Sequence, residues 1–158
     1  IRGNGTKEET FLQLTDITSE FIKKAPKNRY GEKILSADVN SNQDVSDLQF
    51  NNLEIGKQYE ITGLVRIQST SGAGQLLAYS GASQAGTFYG SVAINSNSDT
   101  PTSDIGTNPS LKFTAQSTTL YLNYNTNSNE ILRGNGTKEE TFLQLEERRD
   151  LELTTNFD

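Results

Sequence analysis

Lys57–Gln68 reads KQYEITGLVRIQ, and its alternation sets the fold class. Tyr59, Ile61, Gly63, Val65 and Ile67 fall on one face, with Glu60, Thr62 and Arg66 opposite. A spacing of two residues per face belongs to a strand, because successive side chains of extended backbone point to opposite sides. The same pattern recurs outward from this stretch. Gln75–Ser80 and Thr87–Ile94 follow, the second with Phe88, Gly90, Val92 and Ile94 on one side, and Gly81–Gly86 supplies a turn between them. Leu111–Ala115 carries the set Leu111, Phe113 and Ala115, and Thr119–Tyr124 carries Leu120, Leu122 and Tyr124, with a turn at Gln116–Thr118. A last strand is expected over Thr141–Glu146, with Leu143 and Leu145 inward, and shorter ones over Lys33–Asp38 and Asp47–Asn51.

About eight short strands separated by Gly, Asn and Ser turns predict an all-β fold, an antiparallel β-sandwich. Composition agrees. Only 32% of the 158 residues are hydrophobic, too few for helices with wide apolar faces but enough for strands that bury alternate residues. From Ile67 to Asn129 only Asp99, Asp104 and Lys112 are ionised, in a stretch rich in Ser, Thr, Asn, Gln and Gly that favours strands and turns over helix. The polar connection Asn95–Ser110, with Pro101 and Pro109, is expected to be a surface loop. Thr15–Gly31 differs in kind: Ile17, Phe21 and Ile22 beside Lys23 and Lys24 suggest a helical turn or two, ended by Pro26.

The chain lacks Cys and His, which removes disulfides, thiolate or imidazole metal sites and the familiar Ser-His-Asp and Cys-His nucleophile systems. A net charge of −6 argues against nucleic acid, because phosphate binding needs clustered cations. Arg148 and Arg149 are flanked by acidic residues and read as a solvated strand end. No apolar run approaches a membrane span and no signal peptide is seen, so a soluble protein without membrane insertion is expected. Beginning at Ile1 and lacking Met, the chain is expected to be a processed product or a piece of a longer polypeptide.

Arg2–Leu14 reads RGNGTKEETFLQL, and Arg133–Leu145 repeats it without a difference. An offset of 131 residues between the two copies, 133 less 2, is the size of one ordinary domain rather than of a solenoid repeat.

The order LEIGKQYEITGLVRI (Leu53–Ile67), LKFTAQSTTLYLNY (Leu111–Tyr124) and GNGTKEETFLQLEE (Gly134–Glu147) resembles a known family. It is similar to the trimeric jelly-roll domain of complement globular heads and tumour necrosis factors, in the version carried by virion or fibre proteins of tailed bacteriophages. The last of these pieces is the most specific. The resemblance implies a jelly roll with first and last strands side by side, preceded by a short N-terminal connector, and three subunits around a three-fold axis. It also implies that Tyr59, Phe113, Phe142, Leu143 and Leu145 contribute to the subunit contact, although each serves equally well as ordinary core. The implied partners are further copies of the chain and other virion proteins, on the surface of a virion particle. Residues 1–14 then form either the closing strand of a preceding module or an extra copy without structural meaning, with 15–31 as linker and 32–158 as the jelly-roll domain.

Other motifs have bland readings that outweigh the functional ones. Asn4-Gly5-Thr6 and Asn135-Gly136-Thr137 fit a glycosylation acceptor, but Asn-Gly before a strand is a turn signal, and a phage-like origin strengthens that reading. Glu139, Glu140, Glu146 and Glu147 are the densest carboxylates, and neighbours on a strand point to opposite faces rather than across a cleft. Asn95, Asn97, Asp99, Asp104 and Asn108 match no calcium-loop spacing. Gly72-Ala73-Gly74 lacks the lysine of a phosphate loop. Neither catalytic residues, nor a cofactor, nor a metal site is expected. Tyr79, Tyr89 and Tyr121 alternate opposite the apolar sets and are candidate platforms for a host cell-surface glycan. The first expectation is a non-enzymatic virion structural module, and the alternative is a receptor-binding, lectin-like module.

Overall fold

In the computed structural model, residues 28–69, 72–96 and 103–148 are described. Ten strands follow in order: β1 (Asn28–Ile34), β2 (Gln43–Asp44), β3 (Gln58–Ser69), β4 (Gly74–Tyr79), β5 (Phe88–Asn95), β6 (Ser103–Thr107), β7 (Leu111–Thr114), β8 (Tyr121–Thr126), β9 (Ile131–Leu132) and β10 (Phe142–Glu147). Every pairing is antiparallel, and the strands form two sheets. One runs β1-β10-β3-β6, with β7 and β9 also paired to β3, and the other runs β2-β8-β4-β5. The expected all-β sandwich is therefore what forms, with first and last strands adjacent. Residues 1–27, which include the front copy of the repeat and most of the expected connector, lie outside the described residues, as do Arg149 and the positions after it. β1 starts at Asn28, inside the stretch read as connector.

β3 organises the larger sheet because it is twelve residues long and takes two strands on each edge. β10 and β7 both pair with Tyr59–Ile61, so they occupy opposite edges; β9 and β6 do the same further along, at Ile67 and Gln68. Its burial follows the alternation read from sequence, with Tyr59, Ile61, Val65 and Ile67 inward. Gly63 interrupts the row at φ +135, where L side chains are strained, and a Cβ there would run into the Phe142 carbonyl of β10. On the opposite edge of β3 the pairing passes from β7 at Gln58–Ile61 to β6 at Val65–Ser69.

The core lies between the sheets. Leu35, Leu48, Phe50, Ile61, Val65, Ile67, Leu76, Leu120, Leu122, Tyr124, Leu132, Leu143 and Leu145 are all buried in one cluster. Each such aliphatic side chain contributes roughly 1.5–3 kcal/mol on leaving water. Tyr59 joins Tyr30 edge-on at 5.4 Å and stacks on Phe113 at 5.8 Å, and Tyr89 meets Phe113 at 4.6 Å. This aromatic chain fills one end of the sandwich, where geometry adds to burial.

Two expectations are corrected. Asn95–Ser110 is not wholly a loop: Ser103–Thr107 forms β6 and pairs with Val65–Ser69. Asn95 is buried and donates its amide to the Ile67 carbonyl at 2.8 Å, tying β5 to β3. The two strands on either side of the Gln116–Thr118 turn lie in different sheets, β7 in the larger and β8 in the smaller. The Gln116–Thr118 turn carries the chain across the core, with Ala115 and Leu120 buried on either side. The expected Asp47–Asn51 strand is instead a turn of 3-10 helix at Ser46–Leu48, with Phe50 bridged to Leu120.

Candidate functional site

The repeated motif is one structural unit in its second copy. After β9, Arg133 donates its backbone N–H to the Arg66 carbonyl, the chain loops out through Gly134–Glu140, and β10 rejoins the same edge of β3. Gly134 sits so close to Leu35 and the Ala37 carbonyl that a Cβ would collide with both. Its N–H donates to Asp38, whose carboxylate also pairs with Arg133 at 3.2 Å. Asn135 accepts from the N–H and the hydroxyl of Thr137, the Asx turn expected of Asn-Gly. Thr141 is buried, and its hydroxyl accepts the Arg66 N–H at 3.0 Å.

β10 then lies between β1 and β3. Leu143 and Leu145 point into the core, and Phe142, Gln144 and Glu146 face outward. Register sets Ile34, Phe142 and Leu64 in one outward row across three strands, all of them half-buried. Beside it lies the row Glu32, Gln144 and Thr62, in which Gln144 donates to Glu32 at 2.8 Å. Lys138 pairs with Glu32 at 2.7 Å and lies 5.5 Å from the centre of the Phe142 ring. The row of Glu146 and Glu60 follows, closed by Arg148 on Glu60 at 3.1 Å.

Of the five residues implied for a subunit contact, the structure sets Tyr59, Leu143 and Leu145 at 1% exposure or less and Phe113 at 7%, inside the sandwich of a single chain. Phe142 alone is on the outward face. Alternation found the strand correctly but could not say which face was free. Ile34 and Leu64 were not singled out from sequence; their position opposite Phe142 appears only once register is known.

Of the three tyrosines considered as platforms, the structure brings two together. Tyr79 pairs with Tyr121 on one side and with Phe88 on the other, so the three form a row across β8, β4 and β5. The Tyr79 and Phe88 rings are 5.0 Å apart at 37°, and Phe88 is 52% exposed. Tyr89 is elsewhere. A bulge at this point turns it inward onto Phe113, and its hydroxyl accepts the Gln116 N–H at 2.8 Å. The missed signal was Phe88, assigned by simple alternation to the same side as Val92.

The loop joining β4 to β5 folds back over this sheet. Ser83 and Gln84 both have positive φ, at 55° and 63°, an uncommon conformation for residues with side chains. Ser83 N–H donates to Asp44 at 2.7 Å, and the Gln84 amide donates to Asn123 at 2.8 Å. Asn123, itself nearly buried, donates to the other Asp44 oxygen at 2.8 Å.

The carboxylates weighed as an acidic pair are distributed among cations. Glu140 pairs with Arg66 at 3.3 Å and Glu147 with Lys57 at 3.4 Å, while Glu139 is exposed. Among the described residues no helix is long and apolar enough to cross a membrane, which says nothing of β-barrel proteins.

Comparison with known proteins gives two fold similarities. No protein-family model and no curated protein matches the chain. A solved structure of infectious bursal disease virus, Gx strain, is similar at 13% identity and a TM-score of 0.39, over 77% of this chain and 34% of that one. A mutant VP2 protein of the same virus, in derived T=1 particles, is similar at 13% identity and a TM-score of 0.40, over 77% and 36%. The chain thus spans about a third of the length of either.

Proposed function

We propose that the domain is a non-enzymatic structural module of a virion, of the kind found on fibres or capsid surfaces of tailed bacteriophages, and that it works as a homotrimer among other virion proteins. The observation that carries self-assembly is the row Ile34, Phe142 and Leu64 on the outward face of the larger sheet. It is an apolar strip on a face otherwise lined by ion pairs and amides, where a partner would gain from burial at its centre and retain polar contacts at its rim. The likeness of Leu53–Ile67 and Gly134–Glu147 to the phage jelly roll, together with β10 lying between β1 and β3, supports the virion assignment. In this reading Phe142 is the contact residue, and Tyr59, Phe113, Leu143 and Leu145 hold the sheet rigid from within. The 131-residue repeat fits tandem modules in a longer fibre.

Sedimentation equilibrium of the full chain tests the assembly. A trimer is expected, and Phe142→Glu is expected to shift the mass toward monomer while leaving the β circular dichroism unchanged. A monomer in the parent chain over the micromolar range sinks the proposal.

A further inference from the structure

We infer that the row Tyr121, Tyr79 and Phe88 on the smaller sheet is a binding platform for a neutral saccharide. It lies on the other layer of the sandwich from the proposed subunit contact, so the two sites stand or fall separately.

A partly exposed aromatic strip suits the apolar face of a pyranose ring, and tyrosine also offers a hydroxyl at its rim. Register fixes the three residues side by side on paired strands, which positions them more firmly than a loop would. Orientation of a sugar needs a few hydrogen-bonding groups beside the rings. The β4–β5 loop, which runs from Tyr79 to Phe88, carries the exposed side chains of Ser83, Gln84 and Thr87, whereas Asn123 beneath it is buried and already bonded to Gln84 and Asp44. That loop holds two consecutive residues in the left-handed region, Ser83 bonded to Asp44 and Gln84 to Asn123. Strain kept by dedicated anchors is a reason to look for a function at that place.

Charge selects the ligand class. In the outward rows of this sheet, formed by Tyr121, Tyr79 and Phe88, by Asp44, Asn123, Leu77 and Ser91, and by Asn125, Gln75 and Ile94, Asp44 alone is charged. Both its oxygens already accept hydrogen bonds from within the protein. A nucleic acid or a sulfated glycan would find no cation in these rows, whereas a neutral sugar needs none.

Saturation-transfer NMR on the full chain, with maltohexaose, cellohexaose and tetra-N-acetylchitotetraose as probes, tests the site. Transfer to the ring protons of at least one probe is expected, with affinity weakened about tenfold or more by Phe88→Ala or Tyr79→Ala. Tyr89→Phe, an inward residue, is expected to bind as the parent does. Phe88 is exposed, so its variant remains informative if Tyr79→Ala fails to fold. Three results overturn the inference: no transfer to any probe, transfer unchanged in Phe88→Ala, or a self-association that Phe88→Ala abolishes, which would make the row an interface between copies.

Discussion

Gly63 shows how much one residue decides. Its position in the alternating set was legible, but its purpose was not, because a pattern of apolar and polar residues treats glycine as silent. The need for glycine comes from β10: the Phe142 carbonyl occupies the space of a Cβ, and φ is positive. Gly63→Ala is expected to cost about 1–3 kcal/mol, combining backbone strain with displacement of β10, read as a lowered urea midpoint. Asp47 shows a second dependence that sequence could not reveal. Its carboxylate accepts from the hydroxyl and the N–H of Ser36, and these bonds hold its pKa below the usual carboxylate value. The stabilisation is therefore complete above the unfolded-state pKa and is lost as pH falls through the lower folded-state value. Acid unfolding followed by tyrosine fluorescence should show a shallower loss of stability below about pH 4 in Asp47→Asn than in the parent chain.

At the level of elements, strands that bury alternate residues were visible and strands defined by pairing were not. β3 and β10 bury the alternate apolar residues that announced them, whereas in β5 Phe88 and Ile94 of the expected set are exposed. β6 reads SDIGT between two prolines, so its residues look like a loop; it is a strand because Val65–Ser69 offers an open edge. β9 is only two residues long, below the length at which alternation can register. The route from β7 to β8 was also illegible, since a turn within one sheet and a crossing between sheets use the same polar residues. For β10 the expected energetics are specific. Leu143→Ala removes a fully buried side chain and should cost about 2–5 kcal/mol by chemical denaturation. Thr141→Val keeps the volume but leaves the Arg66 N–H without its acceptor, and about 1–3 kcal/mol is expected from the same measurement.

For the whole molecule, composition and alternation reached the sandwich, whereas of the strand order only the adjacency of first and last strands was expected, and that from resemblance. The candidate surfaces were half legible for the same reason. Tyr79 and Tyr121 were singled out as residues, but a row exists only when β4 sits between β8 and β5. Long-range pairing also governs folding. Asn28 pairs with Glu147, and β3 takes partners from four later strands, so refolding should be slow for this size, on the order of milliseconds to seconds by stopped flow. The central place of β10 has a consequence for biosynthesis. A ribosome delivers β1 and β3 early, yet the strand that lies between them is made last of the ten. Until then two strand edges stay open, each able to capture a strand from a neighbouring nascent chain. On a polysome, where copies emerge side by side, spacing or chaperone cover of these edges would decide how much of the product folds as itself.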